Sequence, residues 1–281
     1  SRKLVARYAQ NFGLSKIMLV TDDGVQKAGW SDEINTLLTN AGFETVIYND
    51  VSPNPRDFQV MKGADIFIKE NCDSIVAVGG GSVMDCAKGI GLVVSNGINI
   101  LEFEGVDQVP IPAPPLICIP TTAGTSADVS QFCIITDTTR LVKIAIVSKM
   151  TIPDVALIDP ETTITMPNTL TAETGLDALT HAIEAYVSNA NSPMTDLHAL
   201  EAIDTIINYL PKVHENPQNI EFREKMMLGS LYAGLAFSNA SLGAVHAMSH
   251  SLGGLKDLPH GLCNTILLDK VIGYNFDSAS K

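Results

Sequence analysis

The sequence predicts two domains, an α/β domain with a doubly wound parallel sheet followed by an all-helical domain. Over roughly the first 160 residues, short apolar runs alternate with amphipathic segments and with turns rich in glycine or proline, a pattern typical of alternating strands and helices. After Met166-Pro167 only long helical patterns follow. We therefore expect domains at 1–165 and 166–281. The second should be incomplete at its C-terminal end, because 276–281 follow a predicted helix without a cap.

Each predicted strand is a short apolar run that ends at a turn-forming residue. The run KIMLVTD at 16–22 precedes Gly24, as expected of a buried parallel strand that leads into a loop. Two β-rich runs flank a turn at 137–140 and predict a hairpin. The predicted strands are 16–22, 43–48, 74–78, 116–119, 130–136, 141–147 and 155–158.

Helices are predicted where apolar residues recur at helical spacing between the strands. The first begins at Ser31, with Asp32 and Glu33 in its first turn, and stops at Gly42. Pro53-Asn54-Pro55 requires an extended loop before the second helix. The predicted helices of the α/β domain are 31–42, 57–71 and 83–94, and those of the helical domain are 170–188, 193–210, 220–237, 243–255 and 262–274.

Composition excludes several classes of function. The chain has 281 residues, of which 46% are hydrophobic, and a net charge of -13. A strongly acidic chain lacks the clustered Lys and Arg that nucleic acids and anionic membranes require, so neither partner is expected. Five widely spaced cysteines without a C-x-x-C pattern favour free thiols in a reducing compartment. With no signal peptide and no uninterrupted apolar span, we expect a cytoplasmic protein.

A glycine turn after the third predicted strand indicates a phosphate site. Gly79-Gly80-Gly81-Ser82 joins strand 74–78 to a helix, an arrangement that directs backbone N–H groups at a phosphate. The turn matches neither G-x-G-x-x-G nor the P-loop pattern, so a plain tight turn is an equally good interpretation of the motif alone. In a parallel sheet, however, ligands bind at the carboxyl ends of the strands. The loop 120–126 (PTTAGTS) adds hydroxyls and amides at that same edge.

A cluster of histidines indicates a metal site in the helical domain. His246, His250 and His260 lie within fifteen residues, and His260 follows a predicted Gly-Gly turn at 253–254. Asp177 and His181 are four residues apart and share one helix face. One carboxylate and three imidazoles would suit Fe²⁺ or Zn²⁺, but spacing alone does not say which of the clustered histidines bind. By itself, Asp177–His181 could be a simple intrahelical hydrogen bond.

Four segments in order resemble the iron-dependent (group III) alcohol dehydrogenases: GGGSVMDCAKGIG, PTTAGTSADVS, TGLDALTHAIEAY and GAVHAMSHSLGGLKDLPHGLCN. The resemblance covers nearly the whole chain. It implies the architecture shared with dehydroquinate synthase, a Rossmann-like dinucleotide-binding domain and a helical metal-binding domain, with the metal in the cleft between them. It also implies an NAD(H)-linked oxidoreductase that interconverts a small primary alcohol or diol and its aldehyde, and that forms a homo-oligomer.

The resemblance assigns roles to individual residues. It makes Asp177, His181, His246 and His260 the metal ligands, with Fe²⁺ favoured and Zn²⁺ possible. His250 becomes the non-ligand histidine that relays a proton near the substrate. It implies NAD contacts at Asp22, Asn54, Gly79, Gly80, Gly81, Ser82, Asp85, Thr121, Thr122, Thr125 and Lys143.

Several of these residues keep a second interpretation. Asp22 would favour NAD over NADP because its carboxylate repels a 2′-phosphate, and the alternative is that it caps a helix or forms a turn. Glu184 is either a hydrogen-bond partner of a ligand or a solvated or helix-pairing residue. The candidates for an apolar substrate wall, for which core packing is at least as good an explanation, are Phe132, Ile134 and Phe237.

Two other functions fit the predicted fold. A lyase or cyclase of the dehydroquinate-synthase type would use NAD and a metal, but it needs a basic cluster beside the metal ligands, where this sequence offers few Lys or Arg. A non-catalytic assembly protein would have no chemical need for both a complete ligand set and a phosphate loop.

Overall fold

A computed structural model describes residues 1–279 of the chain. The chain forms two compact units. The α/β unit consists of Ser1–Thr121 and Gln131–Thr162, and the helical unit combines Thr122–Ser130 with the chain from Thr163 onward. The helical unit therefore contains a segment from near the end of the first half of the sequence, which a single boundary near residue 165 does not describe.

The predicted strands and helices occur in the predicted order. The strands are β1 (Lys16–Val20), β2 (Glu44–Tyr48), β3 (Ser74–Gly79), β4 (Gly105–Val106), β5 (Leu116–Pro120), β6 (Phe132–Asp137), β7 (Val142–Val147) and β8 (Val155–Ala156). The helices are α1 (Val5–Asn11), α2 (Asp23–Lys27), α3 (Trp30–Asn40), α4 (Asp57–Lys69), α5 (Gly81–Asn96), α6 (Asn168–Val187), α7 (Pro193–Glu215), α8 (Ile220–Ala240), α9 (Ala244–Lys256) and α10 (His260–Asn275). Of these, β4, α1 and α2 are additional to the predicted elements.

The main sheet of the α/β unit is parallel, with strand order β2-β1-β3-β5-β8. Its central strands are mainly apolar and buried, as expected of a parallel sheet that helices cover on both faces. On one face Ile17 and Val76 pack with Ile34 and Leu38 of α3, and all four are fully buried. The chain turns to opposite sides of β1 to form β2 and β3. This reversal of strand order opens a crevice beyond the carboxyl ends of β1 and β3, where ligands of such sheets bind.

A second, smaller sheet has the order β4-β7-β6. Strands β6 and β7 are antiparallel, which confirms the predicted hairpin. The loop after β2 is attached to this hairpin, because Thr136 N–H donates to the Pro55 carbonyl over 2.8 Å and Thr138 Oγ1 donates to Asp57 over 2.9 Å.

The structure differs from the helix predictions at several points. Helix α3 begins at Trp30 after Gly29, whose φ of 85° only glycine adopts readily, so Ser31 lies buried inside the helix instead of capping it. Helix α7 continues past Pro211 to Glu215, and the fully buried Val213 anchors this last turn. Two short helices, α1 and α2, were not predicted because neither is long enough to show a helical period.

The sequence predicts both a helix over 243–255 and a Gly-Gly turn at 253–254, and the structure confirms the helix and shows that the turn is wrong. Both glycines lie inside α9, which ends at Lys256, and the turn is made instead by Asp257 at φ 52° followed by 258–259. Gly253 is buried, so the absence of a side chain serves helix packing here. Helix α10 consequently begins at His260, two residues earlier than predicted.

The segment Thr122–Ser130 packs against two helices of the helical unit. A Cβ on Gly124 would lie 2.7 Å from Thr174 Cβ of α6, so glycine permits direct backbone contact there. Ser126 Oγ donates to the Ser230 carbonyl of α8 over 2.6 Å, and a Cβ on Gly234 would lie 2.4 Å from Ser126 Cβ. Within 1–279, none of the helices combines the length and the apolar character needed to cross a bilayer.

Candidate metal centre and nucleotide site

Four side chains from three helices bring their donor atoms together in the helical unit. Asp177 and His181 lie one turn apart on α6, His246 lies on α9, and His260 is the first residue of α10. One ligand atom from each lies within 4.8 Å of the others. Asp177 Oδ1 is 4.0 Å from His181 Nδ1, 3.7 Å from His246 Nε2 and 3.5 Å from His260 Nε2. These are the four residues that the motifs indicated.

Burial and mutual charge define the electrostatics of this donor group. Burial raises the pKa of Asp177, but the nearby His181 and His260 outweigh it and hold that pKa far below its ordinary value. Burial lowers the pKa of His181 to about 4, so this ring is neutral at pH 7 with a lone pair available. Burial also lowers the pKa of His246, but Asp177 and Glu184 on either side raise it to about 9.

The donor group fits a divalent metal ion. His181 Nδ1 is buried and has no hydrogen-bond partner among the described residues, although it is part of the donor cluster. An unpaired buried nitrogen is expensive unless something else binds it. Three imidazoles and one carboxylate suit Fe²⁺ or Zn²⁺.

Three further polar side chains contact the donor group. Glu184 Oε2 lies 2.6 Å from His246 Nδ1, and Ser249 Oγ lies 3.5 Å from His260 Nδ1. The fully buried Asn264 donates from Nδ2 to Asp177 Oδ1 over 2.6 Å and lies within 3.3 Å of His246 Nε2 and His260 Nε2. The sequence interpretation missed Ser249 and Asn264. A helical-spacing rule could have found both, since Ser249 is three residues after His246 and Asn264 four after His260.

His250 lies beside the donor group without belonging to it. Its ring centroid is 5.2 Å from that of His260 and 6.0 Å from that of His246, and the side chain is partly exposed. This position, one turn beyond His246 on α9, is compatible with the predicted proton relay.

Phe237 is packed against a predicted ligand. Its ring is stacked on that of His181, with centroids 4.3 Å apart, and His181 is in turn stacked on His246 at 4.4 Å. Only 2% of Phe237 is exposed. This placement favours the core-packing interpretation over a substrate wall. Phe132 and Ile134 lie in the α/β unit, where the alternation along β6 gives both the same, partly exposed face.

The glycine turn lies at the carboxyl edge of the main sheet. Gly79 ends β3, Gly80 is the N-cap of α5, and Gly81 and Ser82 form its first turn. A Cβ on Gly79 would lie 2.5 Å from Val83 Cγ2, so only glycine lets the strand turn this tightly into the helix. Gly80 has no side chain to cap the helix, so the first N–H groups of α5 are available to bind a phosphate.

Two other predicted nucleotide residues, Thr121 and Asp22, follow strands of the main sheet at the same edge. Thr121 follows β5, and its N–H donates to the Gly79 carbonyl over 2.9 Å. Asp22 follows β1 and caps α2 by accepting the Val25 N–H over 2.8 Å. The structure therefore shows Asp22 as a helix cap, and its contact with NAD stays a prediction. Thr122 and Thr125 belong to the segment that packs with the helical unit.

A third group of predicted nucleotide residues lies near the second sheet. Lys143 Nζ of β7 donates to Asn54 Oδ1 over 2.7 Å, and Asn54 adopts a left-handed conformation with φ 56°. Asp85 lies in the second turn of α5. Burial raises the pKa of Asp85 to about 7, against the opposing charges of Lys88 and Lys143.

Comparison with known families agrees with this geometry. A sequence model described as iron-containing alcohol dehydrogenase matches residues 1–160, and one described as the C-terminal domain of the Fe-containing alcohol dehydrogenase family matches residues 171–281. Together these two matches confirm the resemblance that the four motifs indicated.

Individual relatives are similar over almost all of this chain. Alcohol dehydrogenase 4 of Schizosaccharomyces pombe is 46% identical over 270 residues, which cover 96% of this chain and 64% of that protein. NAD-dependent methanol dehydrogenase of Bacillus methanolicus is 42% identical over 273 residues, covering 97% of this chain and 72% of that protein. A crystal structure of 1,3-propanediol oxidoreductase superposes with a TM-score of 0.94 at 44% identity, covering 98% of this chain and 72% of that one.

This chain therefore spans 64% to 72% of the length of these relatives. The two sequence models follow one another without overlap, and the fold of a solved structure matches over 98% of the chain. The chain belongs to the iron-containing alcohol dehydrogenase family.

Proposed function

We propose that this protein catalyses the reversible, NAD-linked interconversion of a small primary alcohol or diol and its aldehyde. The observation that carries the proposal is the donor group of Asp177, His181, His246 and His260, whose ligand atoms lie within 4.8 Å of one another. A relative of similar sequence is named as an NAD-dependent methanol dehydrogenase, and a structural relative as a 1,3-propanediol oxidoreductase.

The chemistry depends on two bound groups and on the residues that hold them. A divalent cation, Fe²⁺ or Zn²⁺, would lower the pKa of the alcohol hydroxyl, and the nicotinamide would exchange the hydride with the carbinol carbon. Asp177 and the three histidines would fix the position of the cation. His250, beside His260, would take the released hydroxyl proton towards solvent.

The α/β unit would hold the dinucleotide. The first N–H groups of α5, at Gly81 and Ser82, would bind the pyrophosphate with support from the helix dipole. Asp22 would accept from a ribose hydroxyl with the carboxylate oxygen that is not needed for capping. Thr121, Thr122, Thr125, Asp85 and the Lys143–Asn54 pair would complete the predicted contacts. Phe132 and Ile134 stay predicted substrate contacts, which suits a short and mainly apolar alcohol.

Metal analysis combined with cofactor-linked assays tests this proposal. Purified protein should contain Fe²⁺ or Zn²⁺ and should reduce NAD with at least one of ethanol, butanol, 1,2-propanediol, 1,3-propanediol and glycerol. A folded sample that binds neither metal and forms no NADH with any of these alcohols would contradict the proposal.

The two alternative functions have less support. The family matches favour alcohol oxidation over the cyclising elimination of the dehydroquinate-synthase type. A purely structural assembly protein does not account for the unpaired nitrogen of His181 inside a converging ligand set.

Location and assembly remain predictions. We propose a cytoplasmic protein, supported by five buried cysteines that form no disulfide among the described residues. Size-exclusion chromatography with light scattering measures the molar mass in solution and so tests the predicted homo-oligomer.

A further inference from the structure

Glu184 occupies a buried position that links two of the helices of the donor group. It lies on α6, three residues after His181 and seven after Asp177, so the three side chains share one face of that helix. Only 5% of the residue is exposed. A carboxylate so deeply buried needs partners for both oxygens.

Those partners come from α9. Glu184 Oε1 accepts the Val245 N–H over 2.7 Å, and the Gly243 backbone also hydrogen-bonds to the carboxylate. Gly243 is the N-cap of α9 and has no side chain with which to cap it. Glu184 therefore supplies, from another helix, the cap that α9 lacks, and its charge lies at the positive end of that helix.

The other oxygen contacts a predicted ligand. Glu184 Oε2 lies 2.6 Å from His246 Nδ1. A carboxylate can only accept, so Nδ1 must carry the hydrogen, and the neutral ring then has its lone pair on Nε2. That nitrogen is the one that faces Asp177, at 3.7 Å from Oδ1.

Gly243 shows how closely this arrangement is packed. A Cβ at position 243 would lie 2.8 Å from Glu184 Oε1, too close for the carboxylate to stay where it is. Gly243 thus allows the carboxylate to reach the backbone of α9 and His246 at the same time.

We propose that Glu184 is a positioning residue for the metal centre: by capping α9 and accepting from His246 Nδ1, it fixes both the place of His246 and the tautomer that can bind metal. This inference rests on the proposed function, since it assumes that His246 Nε2 binds a cation. Replacing a carboxylate that orients a ligand histidine in this way typically lowers metal affinity about 10- to 100-fold.

Glu184→Gln tests the proposal with a side chain of the same size. Glutamine has one accepting oxygen and one donating NH₂ group, so it cannot accept from α9 and from His246 Nδ1 in one orientation. With its NH₂ group towards His246, the ring must place its hydrogen on Nε2. We expect Zn²⁺ affinity, measured by competition with a chromophoric chelator, to fall about 10- to 100-fold. The matched control is Glu201→Gln, the same change at an exposed position of α7, which should leave affinity unchanged.

Two further measurements separate positioning from a general loss of structure. Long-range ¹H–¹⁵N NMR of the Zn²⁺-loaded wild type should show His246 with its hydrogen on Nδ1, and this pattern should be lost in Glu184→Gln. Gly243→Ala displaces the carboxylate without removing its charge, and it should lower Zn²⁺ affinity several-fold even if Glu184→Gln fails to fold.

The outcomes distinguish this proposal from the proposed function. If the wild type binds no Zn²⁺ or Fe²⁺, the proposed function itself is wrong. If the wild type binds Zn²⁺ and Glu184→Gln binds it as tightly, or if Gly243→Ala has normal affinity when Glu184→Gln is unfolded, Glu184 has no positioning role. Lower melting temperature with normal Zn²⁺ affinity would reduce Glu184 to a helix cap and overturn the proposal.

Discussion

Two histidines one turn apart on α9 have different surroundings. His246 is 2% exposed and lies between the carboxylates of Asp177 and Glu184, whereas His250 is partly exposed and outside the donor group. The i to i+4 spacing alone predicts that both face one point, and it cannot separate them. The difference arises from what α6 and α10 place opposite each ring, which is tertiary information.

Replacing each of these histidines should therefore have different effects. His246→Ala should lose metal and activity together, with a fall in affinity larger than the ~10- to 100-fold that loss of a ligand's hydrogen-bond partner causes. His250→Ala should keep its metal and lose turnover, by about 10²- to 10⁴-fold if its proton transfer is limiting. Metal content and kcat of the purified variants measure both. Normal metal content in His246→Ala would remove it from the ligand set.

Asp22 has a structural role that any test of cofactor choice must preserve. Its carboxylate caps α2, and losing such a cap costs about 1 kcal/mol. Asp22→Ser keeps an N-cap oxygen and removes the charge, so it should raise kcat/KM with NADP relative to NAD without a large change in stability. The ratio of the two kcat/KM values is the measurement, and an unchanged ratio would leave Asp22 a capping residue alone.

Asp85 predicts a pH dependence of stability. Its pKa in the fold, about 7, lies above the ordinary 3.8, so the folded protein binds this proton more tightly than the unfolded chain does. The protonated Asp85 carboxyl therefore contributes to the free energy of unfolding at low pH, and this contribution is lost as pH rises towards 7. Asp85→Asn should gain stability relative to wild type between pH 5.5 and pH 8, on the order of 1–2 kcal/mol. Urea unfolding at both pH values measures this gain, and an equal difference at the two would contradict it.

At the scale of elements, the strands and long helices could be predicted from the sequence, whereas the contacts between helices could not. The strands β1, β3 and β5 were predictable because burial on both faces makes each an uninterrupted apolar run. Gly253 and Gly254 misled the prediction, since a glycine that serves helix packing has the same sequence signature as one that ends a helix. Asn264 lies one helical turn after His260, so spacing could place it beside that ring, but its contacts with Asp177 of α6 and His246 of α9 depend on the tertiary fold.

Gly261 allows α10 to approach α6, and a side chain there should disturb the donor group. A Cβ on Gly261 would lie 2.5 Å from the Glu173 carbonyl oxygen, a backbone atom that cannot rotate away. Gly261→Ala should destabilise the protein by about 1–3 kcal/mol and weaken metal binding, because the neighbouring His260 moves with the helix. Chemical unfolding and metal competition measure the two effects.

Gly273 provides the control on the same helix. No atom lies within 4 Å of a Cβ built there, and the residue is exposed. Gly273→Ala should therefore stabilise α10 by about 0.5–1 kcal/mol through helix propensity and leave metal affinity unchanged. Equal changes in stability and in metal affinity for Gly261→Ala and Gly273→Ala would argue against close packing at Gly261.

At the scale of the whole molecule, metal and dinucleotide should protect different units. The four predicted ligands all lie in the helical unit, on α6, α9 and α10, whereas the glycine turn lies in the α/β unit. Because ligands stabilise the state they bind, chelation should raise hydrogen exchange mainly in those helices, and NAD should lower it mainly around β3 and α5. Exchange mass spectrometry resolves these regions. A uniform change across both units in either experiment would contradict this division.

The segment Thr122–Ser130 determines where the sequences of two family members can be joined to make a chimera. The chain passes from one unit to the other after Thr121, after Ser130 and again after Thr162, so neither unit is a single stretch of the gene. The backbone of Gly124 hydrogen-bonds to His181, which means that the metal-binding half depends on nine residues encoded far upstream. A chimera of two relatives joined once near residue 165 would combine one parent's 122–130 with the other's helices. Exchanging a complete metal-binding half therefore requires three junctions, at 121/122, 130/131 and 162/163.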